Sequence, residues 1–244
     1  MISKNQQKLI RQLEQKKYRR REGLFVAEGP KVVGDLMRAG FKPQALYSTT
    51  EQADAQLITE EELRRISFLQ HPQLMLALFP LPETEPEPLQ QGRLYLALDG
   101  VQDPGNMGTI IRLADWFGID TIFCSEDTAD AWAPKVVQAT MGSIARVKVV
   151  YTSLPALLDS TPLPVYGTLL DGEDIYSQPL TAEGIIVMGN EGNGISEAIR
   201  QKVTNRLLIP SFRRGDTAES LNVAIATAIT CSEFRRRQHD CFAE

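Results

Sequence analysis

Three polar segments between residues 98 and 226 carry the residue types that could do chemistry. One of them, RLLIPSFRRGDTAESLNVAIA, places Ser220 and Asn222 between two apolar runs, at the start of a helical pattern. Serine and asparagine are preferred helix N-caps, so capping is the simplest interpretation of these two residues. Polar side chains at such a point can also serve a ligand, and two similar segments upstream favour that second interpretation.

The first upstream segment is LDGVQDPGNMGTIIRLADWFG. We expect a strand to end at Asp99, a turn at Pro104-Gly105, and a helix that carries both Asn106 and Arg112. Arg112 stands among apolar residues, so we expect its guanidinium to lie against an apolar helix face. A buried arginine needs a partner, which would be either an acidic side chain or a bound phosphate.

The second upstream segment is GIIVMGNEGNGIS. Gly189, Gly192 and Gly194 would let a ligand approach the backbone closely, and Ser196 could cap the next helix. Glu191 is either an exposed turn residue or part of a site. The glycine order differs from that of a dinucleotide-binding fingerprint, and the chain contains no GxxxxGK[ST] phosphate loop.

These segments belong to a predicted α/β domain. Apolar runs predict strands at 94–98, 121–124, 146–150, 165–170, 185–188 and 206–209, and helical patterns occur at 107–117, 134–142, 195–203 and 220–237. Continuous apolar strands that alternate with helices predict a parallel sheet covered on both faces. Such sheets bind ligands beyond the carboxyl ends of their strands, where the three polar segments fall.

The first eighty residues predict a separate, small α/β domain. Its apolar runs lie at 24–27, 45–47 and 75–79, and its helical patterns at 29–39 and 59–66. The second helical pattern opens with a capping-box signature at Thr59. Segment 81–93 is rich in proline and glutamate, which predicts a semi-rigid linker. We therefore expect an N-terminal domain over 1–80 and a C-terminal domain over 94–244.

Composition argues against several function classes. The three cysteines lack metal or disulfide spacing, which favours a reducing cytoplasm. His71 and His239 are the two histidines of the chain, which excludes a histidine-rich metal site and argues against a histidine-based triad. The N-terminus lacks the apolar core of a secretory signal, and no apolar run approaches the roughly 18 residues of a membrane span. We expect a cytoplasmic protein with no metal and no membrane partner.

The net charge of −5 hides a basic N-terminal segment. Residues 1–38 hold ten Lys/Arg and four acidic residues, a balance of +6, so the remaining 206 residues carry −11. Residues 4–21 predict a strongly basic helical segment, which is a candidate phosphate contact. A solvated helical face is the alternative. The candidate contact residues are Lys16, Lys17, Arg19, Arg20 and Arg21.

Taken in order, the patterns DPGN-x-G-x-x-x-R, GNEG-x-G-x-S and IP…ESLNV resemble the three signature motifs of the SpoU/TrmH branch of the SPOUT RNA methyltransferases. The resemblance covers residues 94–237. Residues 25–40 also resemble the substrate-binding domain of rRNA-modifying members. The resemblance implies a deep trefoil knot in the C-terminal domain, an L30e-like N-terminal domain, and a homodimer formed through the knotted domain, in which the site borrows residues across the interface.

The same resemblance implies an enzyme that transfers a methyl group from S-adenosylmethionine to a ribose 2′-hydroxyl of RNA, with rRNA favoured over tRNA. By motif, the catalytic residues would be Arg112, Asn106, Ser220, Asn222 and Glu191. The cofactor-binding positions would be Leu169, Gly189, Ile209 and Leu221. The RNA-binding residues would be the basic residues of 16–21 together with Arg213 and Arg214.

Three questions stay open at the level of sequence. The resemblance makes Arg112 the general base, yet guanidinium groups have pKa values above about 12 and ordinarily keep their proton. We therefore expect Arg112 to clamp a phosphate and to stabilise developing negative charge, while Ser220 and Asn222 orient the hydroxyl. The loop before Ser220 is longer than is common in the family, so Arg213 and Arg214 either contact RNA or form a solvated loop tip. An RNA-binding assembly factor without catalysis is the alternative function, although the motif residues are present.

Overall fold

The structure is a computed structural model, and it describes residues 1–83, 87–213, 215 and 218–240 of the chain. Arg214, one of the predicted RNA-binding residues, lies outside the described residues, as does part of the predicted linker 81–93.

The helices are α1 (Lys4–Gln12), α2 (Lys16–Glu22), α3 (Pro30–Arg38), α4 (Glu60–Ile66), α5 (Pro104–Trp116), α6 (Pro134–Ala139), α7 (Leu154–Ser160), α8 (Glu197–Arg200) and α9 (Val223–Asp240). The strands are β1 (Leu24–Glu28), β2 (Ala45–Ser48), β3 (Gln56–Leu57), β4 (Met75–Pro80), β5 (Leu94–Asp99), β6 (Thr121–Cys124), β7 (Lys148–Tyr151), β8 (Val165–Asp174), β9 (Gly184–Gly189) and β10 (Asn205–Leu208).

The described residues form two compact units. The first comprises Met1–Glu83 together with Asp130–Arg146, and the second comprises the other described residues. Asp130–Arg146 lies inside the predicted domain 94–244, but its Trp132 ring packs within the first unit, 4.5 Å from the ring of Phe25. Helical and strand periodicity carries no information about such a distant packing partner. The predicted linker and domain boundaries stay predictions.

The first unit is the small α/β domain that the N-terminal patterns predict. Its sheet has the order β1-β4-β2-β3, and β4 pairs antiparallel with β1 and β2. The capping box of α4 is present: the Thr59 hydroxyl accepts the N–H of Glu62 at 3.1 Å, and the Glu62 carboxylate accepts the N–H of Thr59 at 3.0 Å. This reciprocal pair satisfies two of the helix's free donors.

The basic segment 4–21 forms two helices, α1 and α2, where the pattern predicts one. Arg19 explains the break, because its guanidinium turns inward and donates to the carbonyls of Leu13 and Glu14, both at 2.7 Å. The Arg19 side chain is 3% exposed and pairs with Asp130 at 2.5 Å. Four of its five N–H groups are engaged within the protein and the side chain is buried, so this guanidinium is poorly placed to contact a phosphate. The prediction that Arg19 contacts RNA is therefore corrected, because its side chain is buried and bonded within the protein.

The six strands predicted between residues 94 and 209 are confirmed. They form one parallel sheet with the order β10-β8-β9-β5-β6-β7. The sheet explains the apolar strands, because residues of β5 and β9 are buried on both faces. Helix α7 was not predicted, although its buried Leu154 and Leu158 have helical spacing.

Helix α5 begins at Pro104, so Pro104-Gly105 opens the helix and does not form a turn before it. The Asp103 carboxylate caps this helix by accepting the N–H of Asn106 at 2.8 Å, and proline suits the first helical position. The buried residues of α5 include Ile110, Ile111 and Ala114. Arg112 lies outside that stripe and is exposed, which corrects the expectation that it packs against an apolar face.

The pairing of β8 with β10 contains a large shift in register. Arg206 lies opposite Gly167, whereas the next residue, Leu207, lies opposite Glu173. Residues 168–172 therefore leave the ladder and bulge away from β10. Gly172 allows the strands to meet again, because a Cβ at this position would lie 2.6 Å from the backbone of Leu207. The bulge creates one wall of a cavity described below.

Helix α9 is anchored through arginine side chains. Arg235 donates to the carbonyls of Phe117 at 2.7 Å and Gly118 at 2.8 Å, at the end of α5. Arg237 donates to carbonyls in the turn after β8, at residues 175, 176 and 178. The hydrogen bond from Arg236 is the main cause that lowers the pKa of Glu233 to about 2, and Arg237 adds to it. The helix is thus tied to two distant parts of the second unit.

Within the described residues, no helix combines the length and the apolar character needed to cross a lipid bilayer.

The contribution of the Arg19–Asp130 ion pair to the stability of the first unit can be tested by substitution. Replacement of Arg19 by alanine removes the cation beside the largely buried Asp130 carboxylate, whose Oδ1 keeps the N–H of Trp132, and it leaves two carbonyls without this donor. We therefore expect it to lower the free energy of unfolding by about 3 kcal/mol. Urea unfolding followed by Trp132 fluorescence, in a Trp116→Phe background, measures this unit. Arg20→Ala removes an exposed neighbour and is the matched control. Equal stability of the two variants would contradict the structural role of Arg19.

Candidate functional site

The three polar segments meet at one edge of the parallel sheet. They follow β5, β9 and β10, whose carboxyl ends all point the same way. The loop after β5 leads into α5, the loop after β9 contains the glycines, and the loop after β10 leads into α9. This edge is the ordinary ligand-binding side of an open α/β sheet.

Glu191 joins the first two of these loops. Its Oε2 accepts the N–H of Gln102 at 3.1 Å, and its Oε1 accepts the N–H of Asp103 at 3.1 Å. Oε1 also accepts Nδ2 of Asn106 at 3.0 Å. One carboxylate therefore holds two backbone donors and one side-chain donor at the start of α5.

These contacts favour the ionised form of Glu191. Partial burial raises the pKa of this carboxyl group, but the hydrogen bond from the Asn106 side chain and those from the backbone of Gln102 and Asp103 outweigh it. The net pKa lies below the ordinary value for glutamate. Glu191 is thus a permanent acceptor at neutral pH, which makes it unsuited to act as a proton donor.

Asn222 joins the third loop to this network. Its Nδ2 donates to Oδ1 of Asn106 at 2.9 Å. Its Oδ1 accepts the backbone N–H of Ala224 at 2.9 Å and of Ile225 at 3.3 Å. The capping interpretation therefore holds for Asn222, and α9 begins at Val223, later than predicted at 220. The same side chain serves both the helix and the network.

The glycine-rich loop is held by Asn190, a residue that sequence reasoning passed over. Its Oδ1 accepts the N–H groups of Gly192 and Asn193, at 2.9 and 3.0 Å, and its Nδ2 donates to the carbonyl of Gly100 at 2.6 Å. Gly189 has no space for a side chain, because a Cβ there would overlap the backbone of Gly194. Asparagine side chains in turns ordinarily accept the backbone N–H two residues on, and this preference could have pointed to Asn190 in a glycine-rich loop.

Ser196 stands before α8, but among the described residues its side chain makes no capping hydrogen bond. Its backbone N–H instead donates to the carboxylate of Asp99 at 2.7 Å. Ser196 therefore occupies the N-cap position that the sequence predicts, but without a capping hydrogen bond at its hydroxyl in the part of the chain that the structure describes. Asp99 thereby forms a second link between the loops after β5 and β9.

A cavity of about 620 Å³ lies beside this network. Its walls come from the bulge of β8, the end of β9 with the glycine loop, the end of β10 and the start of α9. The four predicted cofactor-binding residues all line it: Leu169, Gly189, Ile209 and Leu221. Of the five predicted catalytic residues, Glu191 and Ser220 also line it. Asp171 and Arg200, an ion pair that was not predicted, lie at the same cavity.

Arg112 lies apart from this assembly. The residues that line the described cavity do not include Arg112, and its side chain is exposed on α5. Of the two partners that the sequence left open, an acidic side chain and a bound phosphate, the acidic one is not seen in an ion pair with Arg112 within the described residues. The structure thus brings together Asn106, Glu191 and Asn222 by hydrogen bonds and Ser220 by the cavity, and it leaves Arg112 outside.

The remaining predicted RNA-binding residues are mostly exposed. Lys17, Arg20 and Arg21 lie on the surface of α2, where Lys17 and Arg21 flank the ring of Tyr18 at 4.8 and 4.7 Å. Lys16 is half-buried, and Arg213 is exposed in the loop after β10. Among the described residues, no group of three or more His, Cys, Asp or Glu could hold a metal ion.

Comparisons with known proteins agree with this geometry. Residues 93–232 match the SpoU rRNA methylase family, and residues 4–77 match the MRM3-like substrate-binding domain. The chain belongs to the SpoU rRNA methylase family. The 23S rRNA (guanosine(2553)-2′-O)-methyltransferase RlmP of Bacillus subtilis is 32% identical, across 96% of this chain and 97% of that protein.

Solved structures of SpoU-type proteins resemble the whole chain. A TrmH-family protein from Porphyromonas gingivalis is 45% identical, with a TM-score of 0.86 over 97% of this chain and 99% of that one. An rRNA methyltransferase from Sinorhizobium meliloti, solved with S-adenosylmethionine bound, is 32% identical, with a TM-score of 0.85 over 97% of both chains.

The charge of Glu191 gives a pH-dependent test. Glu191→Gln keeps the shape of the side chain but replaces one acceptor oxygen by an N–H₂ group, which then faces the donors that Glu191 accepts. We therefore expect this variant to be less stable than the wild-type protein at neutral pH. Because the pKa of Glu191 is lowered in the folded state, its contribution is full above the unfolded pKa of about 4.3 and is lost as pH falls below it. Urea unfolding of both proteins across this pH range measures the difference, which should shrink in acid. Glu126→Gln, at an exposed position, is the control; a difference that persists unchanged in acid would contradict the electrostatic account.

Proposed function

We propose that the protein transfers the methyl group of S-adenosylmethionine to the 2′-hydroxyl group of a ribose in rRNA, and that it works as a homodimer. The observation that carries the proposal is the convergence of three loops on one cavity, where Glu191 belongs both to the wall and to the Asn106–Asn222 network. Membership in the SpoU family and the cofactor bound to the Sinorhizobium meliloti relative support the choice of cofactor.

The cavity suits this cofactor in size and in chemistry. Its volume of about 620 Å³ lies within the range of about 300–1,000 Å³ that small-molecule sites occupy. Leu169, Ile209 and Leu221 offer an apolar lining for an adenosyl group, while the close backbone at Gly189 offers peptide groups. The Asp171–Arg200 pair adds charged groups of both signs. These residues would hold the cofactor.

S-adenosylmethionine, when bound, supplies a methyl group that is already strongly electrophilic, so the protein's task is to align the ribose hydroxyl. Each of Asn106 and Asn222 has one amide N–H engaged in the network and one further N–H for a ligand oxygen. Ser220, on the cavity wall, can donate and accept at once. We infer that these three side chains orient the hydroxyl and stabilise the negative charge that develops on its oxygen.

We infer that Arg112 acts at the site of the partner subunit in the dimer. Its exposed place on α5, away from the cavity of its own chain, fits a role in which it reaches the site of a partner subunit and clamps a phosphate beside the target ribose. Exposed apolar side chains support an interface in this unit: Trp116, one turn after Arg112, is 83% exposed, and Ile225 at the start of α9 is 53% exposed.

We further propose that the second unit contains the deep trefoil knot of this family. The register shift between β8 and β10 and the tethering of α9 to the turn after β8 support a chain path that crosses itself at the cavity.

The proposed RNA contacts are Lys16, Lys17, Arg20, Arg21 and Arg213. Residues 4–77 would bind the substrate RNA, as their match to a substrate-binding domain suggests. The free, buried thiols of Cys124 and Cys231 are consistent with the proposal that the protein acts in the reducing cytoplasm.

A cofactor and methyl-transfer experiment tests the proposed function. S-adenosylmethionine at 100 times its dissociation constant should stabilise the folded protein by about 2.7 kcal/mol, whereas NAD should leave it unchanged. The protein should also transfer tritiated methyl groups to rRNA from cells that lack its gene, and 2′-O-methyl mapping would locate the nucleotide. Stabilisation without transfer to rRNA or tRNA would contradict catalysis and would favour the RNA-binding assembly factor.

The partner role of Arg112 predicts complementation between two inactive variants. Arg112→Ala removes the clamp, and Ala226→Phe fills the cavity, which Ala226 lines. In a one-to-one mixture of refolded chains, half of the dimers are mixed, and each mixed dimer has one intact site, so about one quarter of wild-type methyl transfer should return. Thermal unfolding verifies that each variant is folded. If Arg112 serves its own chain, the mixed dimer has no intact site and the mixture stays inactive.

A further inference from the structure

Phe212 is an exposed aromatic residue that the proposed methyl transfer does not use. Its side chain is 86% exposed, in the loop after β10. A single exposed apolar residue is common on protein surfaces and by itself indicates nothing. The position of Phe212 and the character of its neighbours make it informative.

Phe212 lies close to the cavity along the chain. Ile209 lines the cavity, and Phe212 follows it by three residues, a span of at most about 10 Å. The loop returns to the cavity at Glu219, which also lines it. The ring is therefore within reach of a nucleotide whose ribose lies at the cavity mouth.

The neighbours of Phe212 suit a nucleic acid. Arg213 is exposed beside it, and its backbone N–H donates to the hydroxyl of Ser211 at 3.4 Å. The residues on either side of it in the chain, Ser211 and Arg213, are polar and charged. A protein–protein anchor is ordinarily surrounded by further apolar side chains, whereas the chain neighbours of this ring carry a hydroxyl and a guanidinium. An aromatic face next to a guanidinium is the combination that holds an unpaired base and its phosphate.

We propose that Phe212 stacks on the base of an unpaired nucleotide of the substrate RNA while Arg213 contacts the adjacent phosphate. The inference rests on the proposed function, and it adds that the target lies in a single-stranded or looped segment. Stacking tolerates any base, so Phe212 selects unpaired structure, and sequence selection falls to other contacts.

Fluorescence anisotropy with a labelled single-stranded oligoadenylate, and with an RNA duplex of equal length, tests this proposal. Both titrations contain saturating S-adenosylhomocysteine, so that the cofactor cavity is filled. Loss of one stacked base weakens binding by about 5- to 150-fold, so Phe212→Ala should have this effect on the single strand and little effect on the duplex. Phe212→Trp should retain affinity, whereas Phe212→Leu, the matched control that keeps apolar character without an aromatic face, should not. Arg213→Ala should reduce the slope of log affinity against log salt by about 0.7.

Three results would overturn the proposal: unchanged single-strand affinity in Phe212→Ala, equal losses on single strand and duplex, or full affinity in Phe212→Leu. If the Phe212→Ala variant forms a weakened dimer in sedimentation velocity, Phe212 belongs to the subunit interface, and this result would also overturn the proposal. Failure of the proposed function is separate, since it would show as absent cofactor binding in the wild-type protein.

Discussion

The arrangement of the site depends on one carboxylate that can only accept hydrogen bonds. Glu191 faces two backbone N–H groups and the side chain of Asn106, so the Asn106 group turned toward it must be the amide nitrogen. The Asn106 oxygen then faces Asn222, which must donate in turn. The oxygen of Asn222 is thereby directed to the first N–H groups of α9. The charge of Glu191 thus sets the orientation of two amides and links three loops.

Much of this fold could be predicted from the sequence, because its strands are short apolar runs that a parallel sheet buries on both faces. All six strands of the second unit were found at the predicted places, to within a few residues. The turn at Pro104 and the helix starting at Ser220 were wrong for a local reason: the caps are Asp103 and Asn222, and choosing among neighbouring polar residues requires the hydrogen-bond geometry.

The errors at the two arginines have a common physical cause. Arg112 stands in an apolar stretch and is exposed, while Arg19 stands in a basic stretch and is buried. Composition describes the average surroundings along the chain, whereas burial depends on which side of a helix faces the core and on what lies there. For Arg19 the deciding partner is Asp130, 111 residues away. For the cavity, the deciding feature is the register shift between β8 and β10, which no periodicity reveals.

The hydrogen-bond network also limits how the ribose hydroxyl can lose its proton. The oxygen of Asn222 is occupied by two backbone N–H groups, and that of Asn106 already accepts one amide donor. What the two amides offer a ligand is therefore mainly N–H, which suits the charged oxygen after deprotonation better than the neutral hydroxyl before it. Glu191 is held ionised, and because its three donors lower its pKa it is a weak base. A serine hydroxyl can relay a proton but cannot keep it, so we infer that the proton passes, directly or through Ser220, to a group that the substrate brings, such as the phosphate that Arg112 is proposed to clamp. The two amides would then stabilise the charged oxygen that this step leaves behind.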